Sequence, residues 1–590
     1  MSRVSRTKAP PDEGGFALVA VLILLIAMMS LAAAMQLAGR TEIRIGTNHY
    51  IGTQAYYAAE AGAERFLALV GEKMANGNLT PEMVAEAAAA PPTIPGYTFV
   101  EYSAVLAPSV VARQIPQGAF AGLTSLDRDL TVTSSVEGPN GARATVIMDA
   151  RAQAIPIFQF AAFYEDDLEN FPGPRMDIRG RVHTNGDLWI DSITGLYLWA
   201  MVTTAKDVHI EAKASGGDPA SDGRDVYIRK NDGTWVEVLE DSHAFGADHD
   251  PLTFPTPAQD KAFDDWSKST WDHNIQTRAS GVRPLNLPIP DGVDPLELVQ
   301  PCTGAEQASL AAVKYACNAG LQVRVQGTAL EVLNAGGAPE AMPAGAVTFG
   351  INRFYDDREQ SSSAGNGDPI GAVNSNSDRD VIEIDLNAFG VANYKNGLIY
   401  VTADKTNPGG PDAVADEQQY VLRVRGGATL KAPLTIATDL PLYVLGDYND
   451  VPGQWQPASF AADAITILSN NWSDGAAGEG AEPPATETKV EAAILAGHSP
   501  TPFIGSPDGG GWLNNFPRFL EGWGGVKATI NGSLVSLWFA QKAVGAYDGH
   551  YYGAPNRDWY FDQRFTDPAN LPPFTPVVGQ VLRMGFARRY

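Results

Sequence analysis

The sequence predicts a long N-terminal α-helix, for a membrane or a filament, followed by a mainly-β body. Residues 16–35 form an uncharged apolar run, FALVAVLILLIAMMSLAAAM, and a helical pattern continues from it to about Val70. The chain of 590 residues contains 59 glycines and 41 prolines, and its later apolar runs are short, which favours strands joined by turns. A near-repeat of 20 residues among those runs predicts a β-solenoid (β-helix) with inserted loops and helices, with a β-sandwich as the alternative.

The N-terminal apolar run is long enough to cross a bilayer, because twenty helical residues span roughly 30 Å. The leader before it, MSRVSRTKAPPDEGG, is basic at its start, so the positive-inside rule predicts a cytoplasmic leader and an exported body. Three interpretations compete: a prepilin, a secretory signal cut near Ala32–Ala34, and a plain membrane anchor. Signal peptides usually have shorter apolar regions, of about 7–15 residues. Only the prepilin explains both Gly15-Phe16 and the helical continuation.

The stretch GFALVAVLILL, followed by TQAYYAAEAGAERFL, resembles the N-terminal region of the PilX-like minor pilins over about residues 14–70. The resemblance implies that a prepilin peptidase cuts between Gly15 and Phe16 on the cytoplasmic face and methylates the new N-terminus. The part that matches the family's helix motif is a face of small residues, which lets helices approach closely and suits a filament core. The motif includes Gln54, Ala58, Glu60 and Gly62.

Ala20 departs from the pattern of the major pilins, which carry a glutamate five residues into the mature chain. That glutamate is thought to pair with the charged N-terminus of a neighbouring subunit, and a buried carboxylate is costly without a partner. A subunit with no neighbour ahead of it does not need this glutamate. The large tip pseudopilin of type II secretion systems resembles this chain in lacking it. Ala20 therefore favours a tip or initiating role. The alternative is that Ala20 is an ordinary apolar replacement with no functional meaning.

Four regions are predicted along the chain. They are a leader peptide at residues 1–15, a transmembrane and pilin-like helix at 16–70, a small α+β connecting module at 71–157, and a β-rich body at 158–590 with a helical insertion at about 256–320. Within the connecting module, the segment around Pro139-Asn140-Gly141 predicts a hairpin.

The internal repeat is the main clue to the body. MDIRGRVHTNGDLWI, from Met176, aligns without a gap with LYLWAMVTTAKDVHI, from Leu196, so that Val182 matches Val202. Apolar and polar residues alternate within each short run, as in strands. Pieces such as GRVHTNGDLWI and LTIATDLPLYVLGDYN also resemble motifs of large exported proteins with PilX-like N-termini, a likeness that implies no activity.

Cysteine content and charge limit the possible partners and chemistry. Cys302 and Cys317 are the only two cysteines, and an even pair in an exported protein predicts a disulfide. Closing a loop of this length is worth roughly 3 kcal/mol in the chain-entropy model. The formal net charge of −26 disfavours nucleic acid as a partner, since phosphate binding needs clustered Lys and Arg.

Three polar groups are candidates for chemistry, and each has a structural interpretation that we favour. The groups are the strip His183, Asp187, Asp207 and His209; the loop cluster His243, Asp248, His249 and Asp250; and the late motif Asn556–Trp559 with Asp562 and Arg564. The strip aspartates suit turns in which their side chains cap backbone groups. The loop cluster suits a metal by residue type, or a solvated loop. The late motif suits a salt-bridged aromatic cap. Because all three groups have a structural interpretation that we favour, the sequence predicts no catalytic residue, no metal and no cofactor.

We therefore expect a structural minor pilin or pilin-like subunit at the tip or in the initiating complex of a type IV pilus, with a possible part in adhesion. A type II secretion minor pseudopilin and a membrane-anchored β-helix carbohydrate-active enzyme are the alternatives. Expected partners are other pilins, the prepilin peptidase, the inner membrane before assembly, and surface glycans. The expected location is the inner membrane with the body in the periplasm, then the extracellular pilus tip.

Overall fold

The computed structural model describes most of the chain. The described residues are 14–73, 79–210, 212–213, 225–238, 257–287, 289–290, 292–360, 377–404, 419–478, 480–501, 511–543, 545 and 553–589.

The predicted long N-terminal helix is confirmed as α1, which spans Gly14–Lys73. Its first part, from Phe16 to Tyr50, projects from the body with nearly every side chain exposed. From Ala55 onward one side of the helix is buried against a β-sheet. The helix therefore has two halves with different surroundings, an exposed apolar half and a half packed on its own chain.

That sheet, together with the packed half of α1, forms a unit that we call the head. Its remaining elements are α2 Pro81–Ala88, β1 Thr98–Leu106, β2 Val111–Gln114, β3 Thr124–Glu137, β4 Arg143–Pro156 and the last strand of the chain, β30 Val577–Arg589. The sheet is antiparallel in the order β1-β3-β4-β30, and β2 pairs with β3. The predicted hairpin is confirmed between β3 and β4, where Asn140 and Gly141 have φ angles of 58° and 72° and turn the chain back.

The C-terminal strand β30 returns to the head after the whole body has been formed. It pairs with β4 from Val577↔Pro156 to Arg589↔Thr145. The chain between these two strands forms the body, so the body is attached to the head through two neighbouring strands. The sequence had given no sign of this return, and the domain boundaries drawn from it assign residues 577–589 to the body.

The first part of the body consists of short strands that pair in parallel, apart from Trp235–Glu237, which pairs antiparallel with Val226–Arg229. They are β5 Ala162–Tyr164, β6 Leu168–Asn170, β7 Met176–Ile178, β8 Val182–Thr184, β9 Leu188–Ile190, β10 Leu196–Leu198, β11 Val202–Thr204, β12 Val208–His209, β13 Val226–Arg229, β14 Trp235–Glu237 and β15 Ile275–Gln276. The strands β5, β8 and β11 stack with Ala162, Val182 and Val202 in register. The 20-residue offset seen in the sequence is therefore the register of real strand pairs, and it extends to a third copy that begins near Ala162.

The second part of the body adds longer strands. They are β16 Leu321–Gln326, β17 Ala329–Asn334, β18 Val347–Tyr355, β19 Asp378–Asp385, β20 Leu398–Asp404, β21 Tyr420–Arg425, β22 Leu434–Thr438, β23 Leu442–Leu445, β24 Ala458–Ala462, β25 Ile465–Leu468, β26 Thr488–Ala496, β27 Pro517–Arg518, β28 Lys527–Ser536 and β29 Asn556–Phe561. One sheet runs through both parts, because β28 pairs in parallel with β5. The described body is thus mainly β, with several sheets around one large apolar core and smaller buried clusters beside it.

The predicted helical insertion contains three short helices among irregular segments. These are α3 Pro257–Thr270, α4 Ala308–Val313 and α5 Tyr315–Asn318. Trp271, just after α3, is buried against Trp266 with ring centroids 4.2 Å apart. The insertion is therefore packed on the body core.

Candidate assembly surface

The exposed apolar half of α1 is the candidate functional surface. Phe16 is 82% exposed, and the apolar side chains that follow it to Met35 are also exposed. Among the described residues, α1 is the one helix long and apolar enough to cross a membrane. An apolar surface of this size is not stable in water, so it must be covered by lipid or by other protein.

Ala20 lies in this exposed apolar half. The first charged side chain after it is that of Arg40, about five and a half helical turns further along the chain at 3.6 residues a turn. The helix therefore brings no carboxylate into the segment that a bilayer would enclose. Gly15 and Phe16 lie at the start of α1, and cleavage between them stays a prediction.

The helix motif lies where α1 changes from exposed to packed. Ala58 is buried against the head sheet, and a Cβ on Gly62 would lie 2.3 Å from Phe99 Cε1. The small residues thus allow close approach, as the sequence suggested, but their partner in this chain is its own sheet rather than another helix. They fix the helix to the head.

The polar residues of the motif face the edge of this contact. Gln54 Nε2 donates to the Tyr50 hydroxyl at 2.7 Å, and Gln54 Oε1 accepts from the Tyr97 hydroxyl at 3.5 Å. Burial raises the pKa of Tyr56, and the nearby Glu60 carboxylate raises it further. Glu60 is itself half-buried, so these side chains border the contact between the helix and the head.

The C-terminal strand also contacts the packed half of α1. Arg583 forms an ion pair with Glu64, and the Arg588 guanidinium lies 4.4 Å from the centroid of the Tyr56 ring. The Phe586 ring meets the same tyrosine edge-on at 6.1 Å. The packed half of α1 and the C-terminal strand are therefore joined in the head.

The histidine of the predicted polar strip is a core residue. His183 is fully buried beside Phe120, Phe160 and Phe163. Its Nδ1 is 2.8 Å from Thr203 Oγ1 and its Nε2 is 3.0 Å from Asn185 Oδ1. Burial lowers the pKa of His183 to about 4, so the imidazole is neutral at pH 7. It has no open path to a substrate and does not form a strip with the other three residues.

One aspartate of the strip, Asp187, caps a backbone group as we favoured from the sequence, whereas the other, Asp207, forms an ion pair. Asp187 Oδ1 accepts from the Asp207 backbone N–H at 3.0 Å, and Asp167 Oδ1 accepts from that of Asp187 at 2.8 Å. Asp207 in turn accepts from Arg278 Nε at 3.1 Å. His209 stacks on Trp189 with ring centroids 3.8 Å apart. The ladder of aspartates thus holds successive turns together.

The other two polar groups have different outcomes. The cluster of His243, Asp248, His249 and Asp250 lies outside the described residues. In the late motif, Arg564 pairs with Asp562 at 2.7 Å and with Glu491 at 2.6 Å, and its guanidinium covers the Trp455 ring at 4.2 Å. This part of the motif is therefore a salt-bridged aromatic contact.

The two cysteines are joined in the structure. Cys302 and Cys317 form a disulfide with their Cα atoms 5.1 Å apart. The Glu306 carboxylate lies beside them and accepts from the Thr303 backbone N–H at 2.6 Å. This hydrogen bond is the main reason why the pKa of Glu306 is lowered to about 2. Although these three side chains are close enough to share a metal ion, sulfur atoms bonded to each other offer no thiolate ligand.

Comparison with known proteins finds no family model, no curated protein and no solved structure that matches the chain.

Proposed function

We propose that this chain is a pilin-like subunit, inserted in the inner membrane through α1 and then assembled with other pilins at the tip or in the initiating complex of a type IV pilus. The observation that carries the proposal is the division of α1 into an exposed apolar half and a half fixed to the head. The first half fits a bilayer before assembly and a bundle of similar helices after it.

The packed half of α1 supports a mechanical role. Because the helix continues unbroken from Phe16 into the head, a pull on its exposed half is transmitted to the sheet through Ala58, Gly62 and the C-terminal strand. A plain anchor needs only a flexible linker. A subunit that must hold its body in place on a filament needs this rigid connection.

The size of the body and Ala20 support a terminal position. The body comprises the chain from about residue 157 to residue 576, between two adjacent strands of the head. Packing such a body on every subunit of a helical shaft would crowd the surface. A terminal subunit also has no neighbour ahead of it, so it does not need a carboxylate at position 20.

The body itself is proposed to be a β-solenoid. Three parallel stacks with a 20-residue offset support this architecture, as does the parallel sheet that continues through β28 and β5. Each turn buries its apolar residues against the next. An elongated body of this kind would carry an adhesive surface away from the filament end.

Processing is the first test. N-terminal sequencing of the mature protein should give Phe16 as the first residue, and Gly15→Ala should leave a longer, unprocessed species. Gly14→Ala, one residue from the cut, is the matched control and should still be processed. A mature N-terminus near Gln36 would instead identify a secretory signal and refute the proposal.

Position in the filament is the second test. Immunogold labelling of purified pili with an antibody against the body should mark filament ends sparsely. Dense labelling along the whole shaft would contradict the terminal position. Labelling confined to the cell envelope would contradict pilus assembly and support a pseudopilus or a simple anchored protein.

A further inference from the structure

A polar groove of about 430 Å³ opens on the first part of the body. It lies beside the ends of β10 and β13, at the turn that joins β13 to β14. The side chains that matter for its chemistry are those of Arg181, Trp199, Arg229, Asn231, Asp232 and Asn274. None of them belongs to the assembly surface or to the polar groups that the sequence had suggested.

Trp199, in the wall of the groove, is packed against two cations and a second indole ring. On the outer side of β7, β10 and β13, the Arg179 guanidinium lies 5.1 Å from the centroid of the Trp199 ring, and the Arg229 guanidinium lies 5.0 Å from it. Trp235 meets Trp199 edge-on at 5.2 Å. This contact holds the Arg229 guanidinium over the indole ring, and its planar fork of N–H donors suits a carboxylate or sulfate group.

Among the described residues, the two arginines of the groove have no acidic partner. Arg181 donates to the backbone carbonyls of Ala119 and Ala121, and Arg229 is held by stacking on Trp199. In the part of the chain that the structure describes, no carboxylate forms an ion pair with either guanidinium. This is unusual in a chain with a formal net charge of −26, whose other arginines are often paired with acids.

The remaining lining supplies neutral hydrogen-bonding groups, one acid at the rim, and Lys230, which pairs with Asp272 at 3.3 Å. Asn274 is buried, and its Nδ2 donates to the Arg229 carbonyl at 2.9 Å and to Asn231 Oδ1 at 3.2 Å. These bonds fix the loop that carries the groove. Asp232 is exposed, and its carboxylate accepts from the Thr234 N–H at 2.9 Å. Its negative charge opposes that of any anion in the groove.

We infer that this groove binds an acidic saccharide, a sugar chain whose units carry carboxylate or sulfate groups. The edge of a guanidinium fork matches the two oxygens of such a group, while amides and an indole ring suit hydroxyl groups and the apolar face of a sugar. Arg229 is the group that contacts the anion, and Arg181 adds positive charge behind it. Binding does not require filament assembly, so this inference and the proposed function fail separately.

Binding of defined oligosaccharides to the full chain in detergent tests the inference. Isothermal titration would compare a galacturonate hexamer, a sulfated hexasaccharide, a neutral maltohexaose and inorganic sulfate alone. We expect the acidic hexamers to bind and the neutral one to bind at least about tenfold more weakly, as expected for loss of charged hydrogen bonds. The carboxylated and sulfated probes show which anion is preferred. Sulfate binding as tightly as the hexamers would reduce the groove to a simple anion site and overturn the inference.

Variants at the groove separate binding from folding. Arg229→Gln should weaken binding of the acidic hexamer by about tenfold or more, and Arg229→Lys should retain part of it. Arg283→Gln, at an exposed arginine outside the groove, is the matched control and should bind normally. Asp232→Asn should strengthen binding, because it removes a negative charge and keeps the acceptor for Thr234; a misfolded variant cannot give that result. Unchanged affinity in both Arg229→Gln and Asp232→Asn would refute the site.

Discussion

Gly62 on α1 lies directly against Phe99 on β1. A Cβ at position 62 would be 2.3 Å from Phe99 Cε1 and 2.5 Å from Ser134 Oγ. The Phe99 ring is itself packed edge-on against Tyr102, with centroids 5.5 Å apart, so it has little room to move away. This contact sets the distance between the helix and the head sheet.

Gly62→Ala should therefore destabilise the head. Alanine is the better helix former, by about 1 kcal/mol, but overpacking a tight contact costs about 1–3 kcal/mol, so the net effect is a loss. Gly46→Ala is the matched control, because nothing lies within 4 Å of a Cβ at that position of the same helix. Thermal unfolding should show a lower midpoint for Gly62→Ala only. Equal midpoints in the two variants would mean that helix and sheet are less closely packed than the structure indicates.

The local features of the fold were predictable, because their causes lie within a few residues. The apolar run that starts at Phe16 defines the exposed helix, and Asn140-Gly141 defines the hairpin. Val182 and Val202 gave the strand register, since residues of equal character repeat at a fixed spacing. The third copy of the repeat was missed because AAFYEDDLEN shares only Asp167 with both other copies, while its Leu168 matches Leu188 but not Val208.

The long-range features were not predictable from one sequence. Gln580 Nε2 on β30 donates to Gln153 Oε1 on β4 at 2.8 Å, although the two residues are 427 positions apart. No local sequence pattern predicts such a partner. The same holds for the groove, where Arg181, Arg229 and Asn274 come from separate strands and turns. His183 looked like a candidate catalytic residue because its aromatic neighbours, such as Phe120, are distant in sequence.

The buried imidazole of His183 should make the body less stable in mild acid. Above about pH 6.5 this histidine is neutral in the folded and unfolded chain, so its protonation does not change the free energy of unfolding. Between pH 6.5 and about 4 the unfolded chain binds a proton that the folded protein does not, because its folded-state pKa is lowered to about 4. The free energy of unfolding should fall by roughly 3 kcal/mol over this range from this residue alone.

Denaturant unfolding at several pH values between 7 and 4 measures that effect. His183→Gln should remove this part of the pH dependence, so wild type and variant should converge as the pH falls. Thr203→Val is the control: it removes the hydroxyl bonded to Nδ1 and lowers stability at every pH, but it keeps the titrating imidazole. A constant difference between wild type and His183→Gln would show that this histidine is accessible to protons in the folded protein.

The disulfide between Cys302 and Cys317 should be present in the exported protein and should stabilise the region around α4 and α5. Non-reducing mass spectrometry of a protease digest should give the linked peptide pair. Replacing both cysteines by serine should cost roughly 3 kcal/mol of unfolding free energy, as the chain-entropy model predicts for a loop of this length. Reduction of the wild-type protein should give the same loss. Two thiols that are alkylated in the native protein would contradict the prediction.

The register of the repeat can be tested at Val202, which stacks on Val182 and is only 1% exposed. Val202→Asp would place an unpaired carboxylate in the apolar core, at a cost of several kcal/mol. Ile193→Asp is the matched control in the neighbouring turn of chain, because Ile193 is 63% exposed. The Val202 variant should become sensitive to protease throughout the first part of the body while α1 still inserts into the membrane, and the Ile193 variant should resist as the wild type does. Since the cost arises only if position 202 faces inward, equal resistance in both variants would show that the strands are stacked in a different register.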